Sequence, residues 1–261
     1  MQLEREKDSV RNADLEWDDF DPESYRNDNY RMLREDDQII LERVRDFFAR
    51  AAGEPADRSL RGLDMGTGSN LYPALAMLPW CKQISLIDYS ANNVSWLRQE
   101  IVSYSPEWNQ FWDVLRQNPV YGSVADPRRE LAERAVVWQG SVFDLPGRQW
   151  DIGTMFFVAC SISQSPDEFQ RASERFLGAL VPGAPFAMAY MEKSSGYTVG
   201  GIRFPAVSLD LSEILDSLEG RASGVTADRI VVEKMLREGY DAMVIVMGHA
   251  AADTGGLPAE T

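Results

Sequence analysis

The 261-residue chain contains a single histidine, His249, and only two cysteines, Cys81 and Cys160. One histidine excludes a multi-histidine metal site and leaves a histidine-based triad only a residue near the C-terminus. Two cysteines make no disulfide framework, so a reducing cytoplasm is the expected setting and both thiols read as small core hydrophobes. No apolar run approaches the roughly 20 residues that cross a bilayer, which leaves no place for a membrane partner. The opening MQLEREKDSVRNADLEWDD has no apolar signal core and is too acidic for a transit peptide. Positive charge is scarce as well, 26 Lys and Arg against 41 Asp and Glu, for a net charge of −15. Nucleic acid needs a basic stripe and is disfavoured as a partner. The negative excess serves solubility and can concentrate a cationic substrate.

What is present centres on Leu63 to Asn93. LDMGTGSN is a short apolar strand running into a glycine turn, and LIDYSANN is a second strand that finishes on an acid. Gly66 and Asp88 are 88 − 66 = 22 residues apart. A nucleotide-binding α/β unit needs this arrangement: glycines that let backbone pass beneath a ligand, then a carboxylate about 20 residues on for the ribose hydroxyls. A dinucleotide fingerprint would place a third glycine at position 71, which is Leu71. The loop therefore suits a nucleoside without a pyrophosphate, with S-adenosylmethionine the obvious candidate, and disfavours an NAD-dependent dehydrogenase.

Elsewhere the pattern alternates helices with strands. Residues 1–16 are charged and aperiodic and read as flexible, as do residues 250–261. Residues 17–249 read as one domain, 44% of the chain being hydrophobic, with helices over 17–55 as an N-terminal lid. Pro22 behind Asp21 starts a helix carrying Tyr25 and Tyr30. Asp36 to Ala52 is amphipathic, with apolar residues at Ile40, Val44, Phe47, Phe48 and Ala51. Strands are expected near Leu60–Met65, Gln83–Ile87, Ala135–Gln139, Asp151–Ala159 and over PFAMAYME. Helices are expected over Asn70–Leu78, from Ala91, from Pro127, from the SPDE cap to about Leu180, and over Leu211–Leu218. Two last strands, Arg229–Lys234 and Ala242–Gly248, read as an antiparallel hairpin joined through REGYD. The sum is an α/β, Rossmann-like fold: a seven-stranded, mostly parallel sheet with an antiparallel C-terminal edge.

Four segments carry a resemblance to class I S-adenosylmethionine methyltransferases, and within them to the nicotinamide, phenylethanolamine and thioether (indolethylamine) N-methyltransferase group. They are FDPESYRNDNY, LDMGTGSNLY, ISLIDYSANN and the stretch from Asp151 to Phe204 that ends KSSGYTVGGIRF. The resemblance implies that Tyr25, Tyr30 and Tyr72 hold the cofactor's carboxylate and amine, with Tyr25 also closing the site as a lid between cofactor and acceptor. It implies that Gly66, Thr67 and Gly68 admit the methionine and sugar, and that Asp88 accepts from the ribose with Asn93 assisting. Tyr89 covers the adenine and Val142 meets it through a backbone amide. Ser141 stands where the group has an aspartate, and can still accept one hydrogen bond.

The acceptor side departs further. Cys160 and Tyr190 replace acidic residues of the group, while Ser194 and Tyr197 match its acceptor-side positions; Glu192 lies two residues along from Tyr190. The expected activity is methyl transfer to nitrogen, or carbon, of a small aromatic, heteroaromatic or amine acceptor, in specialised metabolism of the bacterial type. S-adenosylhomocysteine is the expected product, no metal is required, and nicotinamide is disfavoured as substrate. Two alternatives keep the fold: intramolecular cyclisation of the cofactor, and a non-catalytic cofactor-binding partner subunit. Oligomeric state is left open by the sequence.

Overall fold

The computed structural model describes residues 9–55 and 58–251. Its centre is a seven-stranded sheet, in spatial order β3-β2-β1-β4-β5-β9-β8. The strands are β1 (Leu60–Met65), β2 (Cys81–Asp88), β3 (Ala135–Gln139), β4 (Ile152–Phe156), β5 (Pro185–Glu192), β8 (Ala222–Ile230) and β9 (Ala242–Ala250). The first five pair in parallel, and β9 runs antiparallel to both β5 and β8. A separate two-stranded sheet joins β6 (Tyr197–Val199) to β7 (Ile202–Phe204). Its GG turn at Gly200 and Gly201, both with positive φ, is a hairpin signal that the sequence reading passed over.

Helices cover both faces. Around one hydrophobic cluster lie α2 (Glu35–Ala51), α3 (Tyr72–Met77), α4 (Ala91–Ser103), α5 (Trp108–Leu115) and α6 (Pro127–Arg134). Around the other lie α7 (Pro166–Ala179) and α8 (Leu211–Asp216). Parity along β5 divides its side chains between the two: Ala187, Ala189 and Met191 face the first, Phe186, Met188 and Tyr190 the second. No helix among the described residues is long and apolar enough to cross a membrane.

Local chemistry sets several element starts. Asp21 caps α1 (Pro22–Asn29), its Oδ1 accepting from the Glu23 and Ser24 amides at 3.0 Å each, a cap worth about 1 kcal/mol. Ser165 caps α7 by accepting from the Glu168 amide. The Glu168 carboxylate does not close the reciprocal bond of a capping box; it accepts from the Asn12 amide at 2.9 Å. Residues 9–16, which carry no sequence periodicity, are therefore docked, with the Gln164 amide also donating to the Val10 carbonyl at 2.8 Å.

One strand was misplaced from sequence. The hairpin partner of β9 is Ala222–Ile230, not Arg229–Lys234. ASGVTADRI is an edge strand with a single fully buried residue, Ile230, so its apolar signal is weaker than that of the VV dipeptide following it. The consequence is spatial: residues 231–241 form a loop that folds back over the end of β5. Leu236 N–H donates to the Tyr240 hydroxyl at 3.0 Å and Ser195 N–H to the Gly239 carbonyl at 2.8 Å.

Candidate active site

β1 and β4 are adjacent, and the chain leaves β1 toward β2 on one side and reaches β4 on the other. This is the switch point at which open α/β sheets leave a crevice beyond their C-terminal strand ends. A cavity of about 890 Å³, its open mouth included, occupies that place. It is lined by the glycine turn, the ends of β2, β4 and β5, the N-terminal segment and the 231–241 loop.

The glycine turn is positioned by backbone bonds. Gly66 (φ +68) and Thr67 donate to the Ile87 carbonyl at 2.7 and 3.2 Å. A Cβ on Gly66 would meet Val158 Cγ2 at 2.3 Å, so the turn tolerates only glycine there. A Cβ built on Gly68 (φ +55) would rest in ordinary van der Waals contact, 3.9 to 4.0 Å from the Gly66 carbonyl, Asn93 Nδ2 and Asp88 Oδ2, so it is the left-handed backbone that favours glycine there. The Gly68 amide donates to Asp88 Oδ2 at 2.8 Å. Asp88 Oδ1 accepts from the Ser90 amide and from Asn93 Nδ2, both at 3.0 Å. Burial pushes the Asp88 carboxyl up, and the bonds from Asn93, Ser90 and Gly68 oppose that rise. Asn93 Oδ1 is buried and has no partner among the described residues. It is an acceptor awaiting a donor in a cavity wall, beside a carboxylate with lone pairs to spare. Ser141 and Val142 line the same corner, with Ser141 Oγ accepting from the Phe143 amide at 3.1 Å. Tyr89 stands at the edge, 48% exposed.

The N-terminal segment, expected from sequence as a lid, is held from two sides. Asp18 Oδ1 accepts from the Ala91 amide at 2.7 Å, and Glu23 Oε2 accepts from Trp96 Nε1 at 3.1 Å, tying the lid to α4. Aromatic packing ties it to the small sheet: Trp17 stacks on Phe204 at 5.4 Å, and Phe20 lies 5.3 Å from the same ring. Tyr25 sits among Phe20, Tyr30 and Tyr197, with ring centroids at 5.2, 5.9 and 6.3 Å. Burial raises the phenols of Tyr25, Tyr30 and Tyr197, which keeps them neutral donors at physiological pH.

Not every residue singled out from sequence reaches the cavity. Tyr72 is fully buried behind it, stacked on Phe111 at 5.2 Å, and its hydroxyl donates to Asp37 Oδ1 at 3.0 Å. Burial lifts Asp37 to about 7, with Asp36 adding to the rise. Tyr190 points to the opposite face of the sheet, against Phe169 of α7 at 6.0 Å, because its parity on β5 is even. Met191, one residue on, takes the cavity position instead. Cys160 is buried beside Ser161, Sγ to Oγ at 3.4 Å, and Ser161 is the one that lines the cavity. Ser194 is buried, its Oγ accepting from the Gly196 amide at 3.3 Å. Glu192 is committed to Arg229 at 2.6 Å. The remaining candidates, Tyr25, Tyr30, Gly66, Thr67, Gly68, Asp88, Tyr89, Asn93, Ser141, Val142 and Tyr197, all line the cavity.

Sequence reasoning missed Arg237, whose side chain also lines it. REGYD reads as a hairpin turn only because the preceding strand was placed too late. It missed Phe157 as well, a non-glycine residue with φ +59 that ends β4 and is held by its amide on the Ala189 carbonyl at 2.7 Å. Nothing in the residue types announces that conformation. Asp64, directly before the turn, is a further buried carboxyl, lifted to about 7 by desolvation. Thr154 Oγ1 donates to its Oδ1 at 2.8 Å, and its Oδ2 has no partner among the described residues.

The parallel sheet with its antiparallel edge, the glycine turn at the switch point and the ribose-type acid define a class I S-adenosylmethionine-dependent methyltransferase. The chain belongs to the NNMT/PNMT/TEMT family, whose profile matches residues 9–248. No curated protein sequence matches it significantly. Among solved structures, magnesium protoporphyrin IX methyltransferase from Synechocystis PCC 6803 with bound cofactor is similar at TM-score 0.53 and 12% identity, over 86% of this chain and 89% of that one. The Burkholderia thailandensis 1,6-didemethyltoxoflavin-N1-methyltransferase, with its acceptor and S-adenosylhomocysteine bound, is similar at TM-score 0.52 and 14% identity, over 83% of this chain and 80% of that one. At such identities the likeness is one of fold. S-adenosylmethionine is the cofactor of this enzyme, and the orphaned Asn93 acceptor beside Asp88 in the cavity wall fits its adenosyl end.

Proposed function

We propose that the enzyme methylates nitrogen, or carbon, of a small aromatic or heteroaromatic compound. The observation that carries this reading is the aromatic wall over the end of β4 and β5, in which Tyr25, Tyr197 and Phe157 line the cavity. Asp88 is the one carboxylate among the described lining residues, and it belongs to the adenosine corner. A protonated amine would therefore find no counter-charge at the acceptor end, which favours a neutral or electron-rich ring.

Bound S-adenosylmethionine supplies a methyl group on a positively charged sulfur. The protein's work is positioning. Asp88 and Asn93 fix the ribose, the glycine turn brings backbone against the methionine chain beyond it, and the lid aromatics exclude water. The acceptor atom has to stand about 3 Å from the methyl carbon on the sulfur–carbon axis. Tyr25, on the lid between the two, orients the acceptor, and its ring offers the sulfonium cation–π stabilisation of about 1 kcal/mol. The buried, unbridged cysteines Cys81 and Cys160 support a cytoplasmic setting, where small-molecule methylation in specialised metabolism would take place.

The test is to incubate the protein with methyl-labelled cofactor and a panel of indoles, pyridines, arylamines and alkylamines. Label on an aromatic acceptor, with S-adenosylhomocysteine released, is the expected result. Release of methylthioadenosine would instead show the cofactor itself reacting. Tight cofactor binding with no labelled product from any of the panel would overturn the reading.

A further inference from the structure

Arg237 is the only cationic side chain among the described residues that line the cavity. No carboxylate among those residues pairs with it. Its Nη1 donates to the Met191 thioether at 2.9 Å, a weak acceptor, and its Nη2 reaches Ser194 Oγ at 3.5 Å, the limit of a hydrogen bond. Its Nε is buried and has no partner. The guanidinium lies over two rings, 5.5 Å from the centroid of Tyr197 and 5.4 Å from that of Tyr240. Those faces stabilise a cation without consuming its N–H groups. The backbone that carries it is fixed: Arg34 Nη2 donates to the Lys234 carbonyl at 2.9 Å, and the Leu236 and Gly239 bonds hold either side. A cation positioned this way, with N–H donors unspent, is a receptor for an anion.

Its place decides which anion. The adenosine corner lies at β2 and β3 and the glycine turn at β1, while Met191 ends β5, two strands beyond β1 in the sheet. At about 4.8 Å per strand the separation is roughly 10 Å, which puts Arg237 on the acceptor side. We propose that Arg237 binds an anionic group of the methyl acceptor, so that the substrate is an aromatic or heteroaromatic carboxylate. The inference rests on the aromatic-acceptor reading above and adds a charge to it. The fork of the guanidinium suits two carboxylate oxygens at once, and the rings that flank it suit an aryl group attached to them.

The experiment titrates the full-length protein, loaded with S-adenosylhomocysteine, with matched probes: anthranilate against aniline, and indole-3-carboxylate against indole and tryptamine. At least one carboxylate should bind about tenfold or more tightly than its uncharged or cationic counterpart, the value of one charge-assisted hydrogen bond. Arg237→Gln should erase that preference while leaving S-adenosylhomocysteine affinity unchanged, and Arg237→Lys, which keeps the charge without the fork, should retain part of it. Equal or weaker binding of both carboxylates overturns the proposal. So does an Arg237→Gln variant that loses S-adenosylhomocysteine and carboxylate affinity together, because Arg237 would then hold the cofactor's own carboxylate. Faster methyl transfer to an uncharged acceptor than to its carboxylate counterpart by the unaltered protein would remove this proposal and leave the methyltransferase reading in place. Absence of S-adenosylhomocysteine binding to the unaltered protein would remove the latter.

Discussion

Asp88→Ala removes a carboxylate with two tasks. Its oxygens accept from Gly68 N–H at 2.8 Å and from Ser90 N–H and Asn93 Nδ2 at 3.0 Å, so it clamps the glycine turn to the start of α4. In the function proposed above, its remaining lone pair accepts from the ribose hydroxyls. Losing that charge-assisted pair costs about 1.5–3 kcal/mol, which is roughly 10- to 150-fold in the Kd for S-adenosylhomocysteine. Three protein hydrogen bonds at about 1 kcal/mol each remove a further ~3 kcal/mol of folding stability. Calorimetry reads the first quantity and a urea midpoint the second. Asp88→Asn separates them from a loss of shape. It keeps the volume but turns an N–H₂ toward a backbone N–H, so both quantities should still fall. An Asp88→Ala protein that binds S-adenosylhomocysteine as tightly as the parent would refute the placement of the ribose.

Tyr25→Phe should reduce turnover and cofactor affinity together, because it removes a phenol at the junction of lid and cavity; unchanged kcat and Kd would take the lid role away from it. Tyr190→Ala should cost about 3–5 kcal/mol of stability, as for other large buried aromatics, and leave the acceptor profile intact, since its ring packs on Phe169 across the sheet. A changed acceptor profile at unchanged stability would contradict that. Asp64 has a native pKa of about 7 against an ordinary 3.8, so the native state holds its proton where the unfolded chain has lost it. Its contribution to stability is therefore present below the ordinary carboxylate range and declines as pH rises from about 4 to about 7, by about 4 kcal/mol in all. Urea midpoints for Asp64→Asn should show a shallower decline over that window than the parent, and identical slopes would show that Asp64 is ionised in the folded protein.

The features legible in the sequence are those fixed by neighbours along the chain. The glycine turn and Asp88 form one βαβ unit, so their spacing alone brings Gly68 N–H onto the carboxylate. Asp21 with Pro22, and Ser165 with Pro166, mark α1 and α7 because a cap acts within a single turn. The cavity wall at the end of β5 is less legible because it depends on parity and on contacts distant in sequence. One residue along β5 separates Met191 in the cavity from Tyr190 behind the sheet. Tyr72 turns its hydroxyl onto Asp37, 35 residues earlier in the chain, rather than into the cavity. Arg237 was hidden by a weakly apolar edge strand: once Ile230 is taken as its end, the residues after it become a loop with somewhere to go.

A crystal structure of the protein with S-adenosylhomocysteine tests the assignment of the two halves of the cavity most directly. The ribose hydroxyls should lie on Asp88, the sulfur beside the turn at Gly66 to Gly68, and open room should remain between Tyr25, Tyr197 and Arg237. A homocysteine carboxylate clasped by Arg237, or a ribose away from Asp88, would contradict it.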